Sequence, residues 1–280
     1  MKKSTLITHT KIANDIMYYI YKYVDSDINI DTLSHNFGIS KFHMHRIFKK
    51  EFDKNIYESI KAIRLQKASS LLLTNPYVTI TEVANQCGYS SHASFIKAFK
   101  SKFSQTPSSW KNGGYKKNIL ISNTNSYKNI AMKIVKMPAI RVHYIRHKGY
   151  NKNIKTVWQK LQAWIYSANV QDYSYIALYH NNPTITPLEE CSYVACVESK
   201  MKQNSTSLPT LTIPKGVYAK FDLSGKYGDI LKFMNWIYFE WLPNNGYETT
   251  TNPAYTIYHK NHFLEDDEKF EISYYLPIRV

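Results

Sequence analysis

Cationic side chains stand beside Phe42 in KFHMHRIFKK, residues 41–50. On a helix, Lys41, Phe42, His45, Arg46 and Lys49 of this stretch share the outer face, while Met44, Ile47 and Phe48 fall on the inner one. Lysine and arginine neutralise phosphates, and a guanidinium also forks onto the edge of a guanine. HASFIKAFKSKF, residues 92–103, presents His92, Ala93, Ser94, Lys97 and Lys100 outward and Phe95, Ala98 and Phe99 inward. Both outer faces are polar and basic at their N-terminal ends. A chemistry of this kind suits a polyanion, and a merely solvated face has no use for Phe42.

The elements that must position these residues are legible as a repeat. INIDTLSHNFG (28–38) stands beside VTITEVANQCG (78–88) at an offset of 50, and after Ser90 the offset becomes 51, so that Ser40 pairs with Ser91 and Arg46 with Lys97. Each copy reads as helix, tight turn, helix. Thr79 and Glu82 have the spacing of a capping box, and Asn29 caps the first copy alone. Gly38 and Gly88 end the short first helices, and Ser40 and Ser91 cap the second ones. This is the design of a helix-turn-helix, whose second helix offers its first turns to the major groove. Between the copies, NIYESIKAIRLQKASSLLLTNP predicts a spacer of about 18 helical residues, roughly 27 Å long. The stripe Ile12, Ile16, Ile20 and Val24 packs a leading helix on the first hairpin.

Charge agrees. The chain carries a net +15 over 280 residues. Residues 1–117 hold 18 Lys and Arg against 8 Asp and Glu, and residues 118–280 hold 18 against 13. Two-thirds of the excess therefore lies on the smaller part, the footprint of a nucleic-acid binder. Cys87, Cys191 and Cys196 form no CxxC pair, so neither a disulfide framework nor a zinc ribbon is expected. His43 and His45 are two apart and cannot share a metal on one helix face. The N-terminus has no apolar core of a signal peptide, and no run approaches a membrane span, which places the protein in the cytosol.

SKFHMHRIFKKEF, the spacer IRLQKASSLL and VANQCGYSSHASFIKAFKSKFSQTPSSW carry a resemblance. Residues 8–112 resemble the DNA-binding domain of the AraC/XylS family of bacterial transcription regulators, most of all its Mar/Sox/Rob type. The resemblance implies base contacts from Phe42, His45 and Arg46, where the family has tryptophan and glutamine at the first two positions. In the second reading helix it implies base contacts from His92, Ala93, Ser94, Ile96 and Lys97. Lys41, Lys49, Lys50, Lys100 and Lys102, with the caps Ser40 and Ser91, then fall to the DNA backbone. Double-stranded promoter DNA is the implied partner, with RNA polymerase beside it for an activator in the nucleoid. One chain with two unlike readers suits an asymmetric site bound as a monomer; a dimer through the second domain stays open.

KNGGYKKNILISNTNSYKN, residues 111–129, reads as a linker, which puts the boundaries at 113–130 for the linker and 131–280 for a second domain. A second repeat follows. AIRVHYIRHKGYNKNIKTVWQKLQAWI matches GVYAKFDLSGKYGDILKFMNWIYFEWL, and YIALYHNNPTITPLEECSYVACV matches YTIYHKNHFLEDDEKFEISYYLPI. Each half is βαββ, so the expected fold is an all-α double helix-turn-helix domain followed by an α+β domain of antiparallel strands and two helices. A groove between the halves has aromatic candidates: Tyr144, Tyr150, Trp158, Tyr179, Tyr218, Trp236, Tyr255, Tyr258 and Tyr274. The alternative is that most of these rings are core.

RHKGYN, PTITPLEE, SGKYGDI, WLPNNGYE, NPAYTIYHKN and YYLPI make residues 131–280 resemble the gyrase-inhibitor-like effector-binding domain. That resemblance implies a small-molecule or protein effector. Where the family has a pocket glutamate that neutralises cationic ligands, this chain has Thr256; Glu198 and Glu240 are the substitutes at hand, each read more simply as a solvated carboxylate. Some relatives of this domain hydrolyse small molecules, and a gyrase-directed or architectural role is a further alternative. No catalytic residues are expected, however. His143, His147, His180, His259 and His262 are isolated, there is no GxSxG, and no cofactor or metal is implied.

Overall fold

The computed structural model describes residues 3–118, 127, 129–199 and 208–279. Among them the chain forms two compact units, one mainly from residues up to Asn112 and the other mainly from Gly113 onward.

The first unit is helical: α1 Lys3–Lys22, α2 Ile30–Phe37, α3 Lys41–Phe52, α4 Ile56–Thr74, α5 Ile80–Gln86, α6 His92–Phe103 and α7 Pro107–Lys111. Local chemistry sets the ends. Asn29 accepts from the Thr32 amide, and Thr79 with Glu82 closes a capping box in both directions. Gly38 caps α2 at φ 61°, and Gly88, one residue past the cap of α5, turns at φ 74°. Ser40 and Ser91 accept from the amides of His43 and Ser94 at the starts of α3 and α6.

Ile16, Ile20, Val24, Leu33, Met44, Phe48 and Ile60 form one core between α1, the first hairpin and α4. Around the second hairpin Phe95, Phe99 and Trp110 stack edge to face, at 5.6 and 5.9 Å. Each such ring contributes about 1.5–3 kcal/mol by burial. Spacer helix α4 joins the two sets. Its Arg64 donates to the carbonyls of Val24 (3.2 Å) and Ser26 (2.7 Å), and its Ser69 carbonyl accepts from the Trp110 indole at 3.0 Å.

The second unit contains nine strands among the described residues: β1 Met132–Met137, β2 Ile140–Lys148, β3 Tyr173–Tyr179, β4 Ser192–Ser199, β5 Thr210–Ile213, β6 Gly216–Lys226, β7 Glu248–Thr249, β8 Ala254–Lys260 and β9 Lys269–Arg279. Its helices are α8 Ile154–Ser167, α9 Asp229–Trp236 and, after a π turn over Ile237–Trp241, α10 Leu242–Asn245. The sheet runs β1-β6-β9-β8-β3-β4-β2-β5, antiparallel throughout, with β7 on β9. The expected repeat is there as β2-α8-β3-β4 and β6-α9-β8-β9. The two halves meet where β3 pairs with β8, Ala177 opposite Thr256. At the ends of the expected linker, Tyr115 stacks on Phe239 at 5.8 Å and Tyr127 packs on Phe233 at 5.5 Å. Residues 119–126 and 128 of that linker lie outside the described residues.

Candidate functional site

The residues proposed to read DNA sit on α3 and α6. Phe42 is 79 % exposed, a large apolar ring held in water. Arg46 is exposed too, and its guanidinium donates to His43 Nδ1 at 3.0 Å, which fixes the acceptor tautomer of that imidazole. His43 also meets His9 of α1 ring to ring at 5.0 Å, and burial, with the Arg46 cation beside it, holds its pKa below the ordinary value. His45 is half-buried and lies 6.4 Å from Tyr57, so its ring leans on the start of α4 rather than standing fully outward. On α6, His92, Ala93, Ser94 and Lys97 are exposed, and Ile96 is half-buried. Lys49, Lys50, Lys100 and Lys102 are all exposed, as are Ser40 and Ser91. Lys41 forms an ion pair with Asp31. Two exposed rings escape the repeat pattern: Tyr57, 59 % exposed, and Tyr77, 89 % exposed, because each sits outside the helices whose periodicity was followed.

In the second unit the sheet divides the aromatic candidates. A strand alternates faces every residue, so Thr256 and Tyr258 share one face and Tyr255 points to the other. Register carries Tyr179, Tyr274 and Phe221 to the first face, where α8 places Trp158 against Tyr258 and α9 places Trp236 against Phe221. Tyr150 packs there against Tyr193 at 5.8 Å. Tyr144, Tyr218 and Tyr255 occupy the opposite face, with Tyr218 and Tyr255 5.2 Å apart. A single groove lined by all ten residues is therefore excluded by the pleat.

The helix-side cluster is joined by hydroxyl groups. The Trp158 indole donates to Tyr193 Oη at 3.1 Å, Tyr193 and Tyr258 hydroxyls meet at 3.4 Å, and Thr256 Oγ1 donates to Tyr179 Oη at 3.3 Å. All of these residues are buried. Burial pushes the Tyr179 phenol up to about 12 and those of Tyr150, Tyr193, Tyr258 and Tyr274 well above the usual tyrosine value. The cluster is thus uncharged at any physiological pH, and these hydrogen bonds join hydroxyls and an indole. Tyr193, at its centre, was missed by sequence reasoning because its alternation in SYVACV marks only a buried strand residue. Of the substitute carboxylates, Glu198 is exposed and follows Cys196 on the face away from Tyr258, and Glu240 is half-buried in the π turn.

A cavity of about 370 Å³ opens beside α9, between Leu231 and Asn235 on the helix and the loop Pro183–Glu189 that joins β3 to β4. None of these residues belongs to the aromatic set. No group of three or more His, Cys, Asp or Glu among the described residues could hold a metal ion. No described helix is long and apolar enough to cross a membrane.

Comparison with known proteins matches each unit separately. Residues 131–279 match the model of the GyrI-like small molecule binding domain, and residues 33–113 match a helix-turn-helix domain model. The Msm operon regulatory protein of Streptococcus mutans is 31 % identical over 99 residues, covering 35 % of this chain and 35 % of that protein. The regulatory protein SoxS of Escherichia coli is 30 % identical over 105 residues, covering 38 % of this chain and 97 % of SoxS. This chain thus spans about a third of the first relative's length. The solved EcmrR C-terminal domain is similar at 15 % identity and a TM-score of 0.42, over 54 % of this chain and 98 % of that one. The chain belongs to the family of the GyrI-like small molecule binding domain, here preceded by a helix-turn-helix domain of the AraC type.

Proposed function

We propose that this chain is a DNA-binding transcription regulator, an activator, that reads two successive major grooves with α3 and α6 and answers to a small molecule held by its second domain. The observation that carries the reading is a pair of side-chain-capped helices, each with an exposed polar and basic first half, fastened to one 19-residue spacer helix. At about 1.5 Å per residue that spacer runs roughly 28 Å, close to the rise of about 34 Å between successive grooves. Arg46 is assigned a bidentate contact to guanine, and Phe42 an apolar contact to a base. The ordered bond to His43 supports that assignment, since a guanidinium held in place loses less freedom on contact. RNA polymerase is the proposed second partner, and the monomer the binding unit.

A ligand shifts such a protein only by its differential affinity for two arrangements. Binding selection against random duplexes tests the DNA reading. Arg46→Ala should relax preference at one position of the first half-site, a loss of about 1–3 kcal/mol of discrimination. Unchanged preference would remove Arg46 from the base-reading set.

Binding rather than catalysis is supported by the hydroxyl with the most suggestive neighbours. Ser273 Oγ donates to Asp222 Oδ1 at 2.6 Å and meets His259 Nε2 at 2.8 Å. With its proton given to the carboxylate, the serine accepts from the imidazole, so His259 cannot act as its base. Turnover of a simple ester by the chain, lost on Ser273→Ala, would overturn this view.

A further inference from the structure

Arg46 does not stand alone on α3. Its Nη2 donates to His43 Nδ1 at 3.0 Å, across one helical turn. A guanidinium has no acceptor, so that nitrogen must carry a lone pair, and the ring is the neutral tautomer with its proton on Nε2. Protonating Nδ1 would set one N–H against another and one cation against another. His43 is itself held. Its amide donates to Ser40 Oγ at 3.3 Å, and its ring meets the His9 ring of α1 at 5.0 Å and 71°. The same helix α1 is tied to the far end of α3, where Glu51 accepts from Thr10 Oγ1 at 3.0 Å and from Asn14 Nδ2 at 3.3 Å. His43 is half-buried, whereas Arg46 is exposed. An exposed arginine has many rotamers, and freezing them at the moment of contact costs affinity.

We propose that His43 is a positioning residue for base reading: it touches no base, and it holds the guanidinium of Arg46 ready for guanine as long as its Nδ1 keeps a lone pair. The proposal rests on the reading of Arg46 as a guanine contact and names what controls that contact. Sequence choice at that base pair is then sensitive to pH.

Among the described residues, the ionisable groups acting on His43 are Arg46 on its own helix and His9 on α1, and neither is a carboxylate that would hold the proton. Burial first, then these two neighbours, keeps its pKa below the ordinary 6.5. The bond to Arg46 is therefore intact above 6.5 and is lost as the pH falls through the lowered value. DNA phosphates raise the pKa of an imidazole near them, but they do so alike on every duplex. The ratio of affinities for two duplexes cancels that effect, and any loss of folded protein with it.

The test is fluorescence anisotropy of the full chain on two duplexes. One is recovered by binding selection; the other has adenine in place of the guanine at the position that Arg46→Ala relaxes. At pH 8 the unaltered chain should prefer the first at least about tenfold. His43→Ala should lose about two- to tenfold of that preference with binding to the second duplex unchanged, because only the first needs an ordered guanidinium. Adding His43→Ala to Arg46→Ala should cost nothing more. From pH 8 to 5 the preference of the unaltered chain should shrink toward that of His43→Ala. His43→Asn puts an amide oxygen where the imidazole has Nδ1, so it should keep the preference at pH 8 and hold it to pH 5. Full preference in His43→Ala, a further loss in the double variant, or a pH dependence that survives in His43→Asn overturns the role of His43 and leaves Arg46 a base reader. Were Arg46→Ala to relax no position, the reading of Arg46 and this inference would fall together.

Discussion

Taking the pH from 7 to 5 should cost the second domain about 2 kcal/mol through His262 alone. This imidazole is 5 % exposed and lies among rings: Phe263 at 4.0 Å, Phe270 at 5.4 Å, Tyr258 at 5.9 Å and Tyr227 at 6.0 Å. Its Nδ1 is buried without a hydrogen-bond partner, and among the described residues no ion pair repays a charge there. Burial lowers its pKa from 6.5 to about 4. Below pH 6.5 the unfolded chain takes up a proton that the folded chain refuses until about pH 4. Stability is therefore full above 6.5 and falls as the pH drops, by about 1.4 kcal/mol per unit once well inside the window. Integrated from pH 7 to 5, the loss is about 2 kcal/mol. His262→Phe keeps a ring among rings and removes the titration. Urea unfolding followed by tryptophan fluorescence reads this domain well, since Trp158, Trp164, Trp236 and Trp241 lie in it and Trp110 alone lies in the other. The difference between variant and parent should grow by about 2 kcal/mol from pH 7 to pH 5. A difference that stays constant over that range would refute the reasoning, whatever the variant's absolute stability.

Other perturbations separate the remaining roles. Lys100→Ala should weaken binding to all duplexes alike and reduce the slope of affinity against salt by about one charge; a change of sequence preference with the slope intact would exclude a phosphate contact. The two repeat glycines should differ. Gly88→Ala puts a Cβ 2.5 Å from the Val24 carbonyl at a positive φ, and about 2–5 kcal/mol is expected by thermal unfolding. Gly38→Ala meets nothing within 4 Å and should cost only about 1 kcal/mol, so equal costs would be inconsistent with this geometry. Thr256→Glu buries a carboxylate beside Tyr179, at about 3 kcal/mol in a denaturant melt. Benzyltrimethylammonium should then raise the Tm of the variant more than that of the parent, and no such gain would mean that this position faces no ligand.

Sequence alone determined the elements of this protein and their repeats. Caps, turn glycines and helical periodicity act within a few residues, so Asn29, Ser40, the Thr79–Glu82 box and Gly38 announced the first unit before any contact was known. The charge imbalance and the exposed Phe42 were legible for the same reason, since they depend only on which face of a helix is apolar. Sheet pairing is different in kind. Which of the nine aromatic candidates meet depends on register between strands up to about 100 residues apart, and a period of two sends Tyr255 away from its neighbours Thr256 and Tyr258. Only the tertiary structure could set Tyr193 at the hub of the hydroxyl network, turn His45 onto Tyr57, and give Arg46 its bond to His43. It alone decided that Asn235, unremarkable inside FMNWIYF, holds a buried acceptor without a partner. A polar atom becomes conspicuous when packing removes its water, and packing is a property of the whole domain.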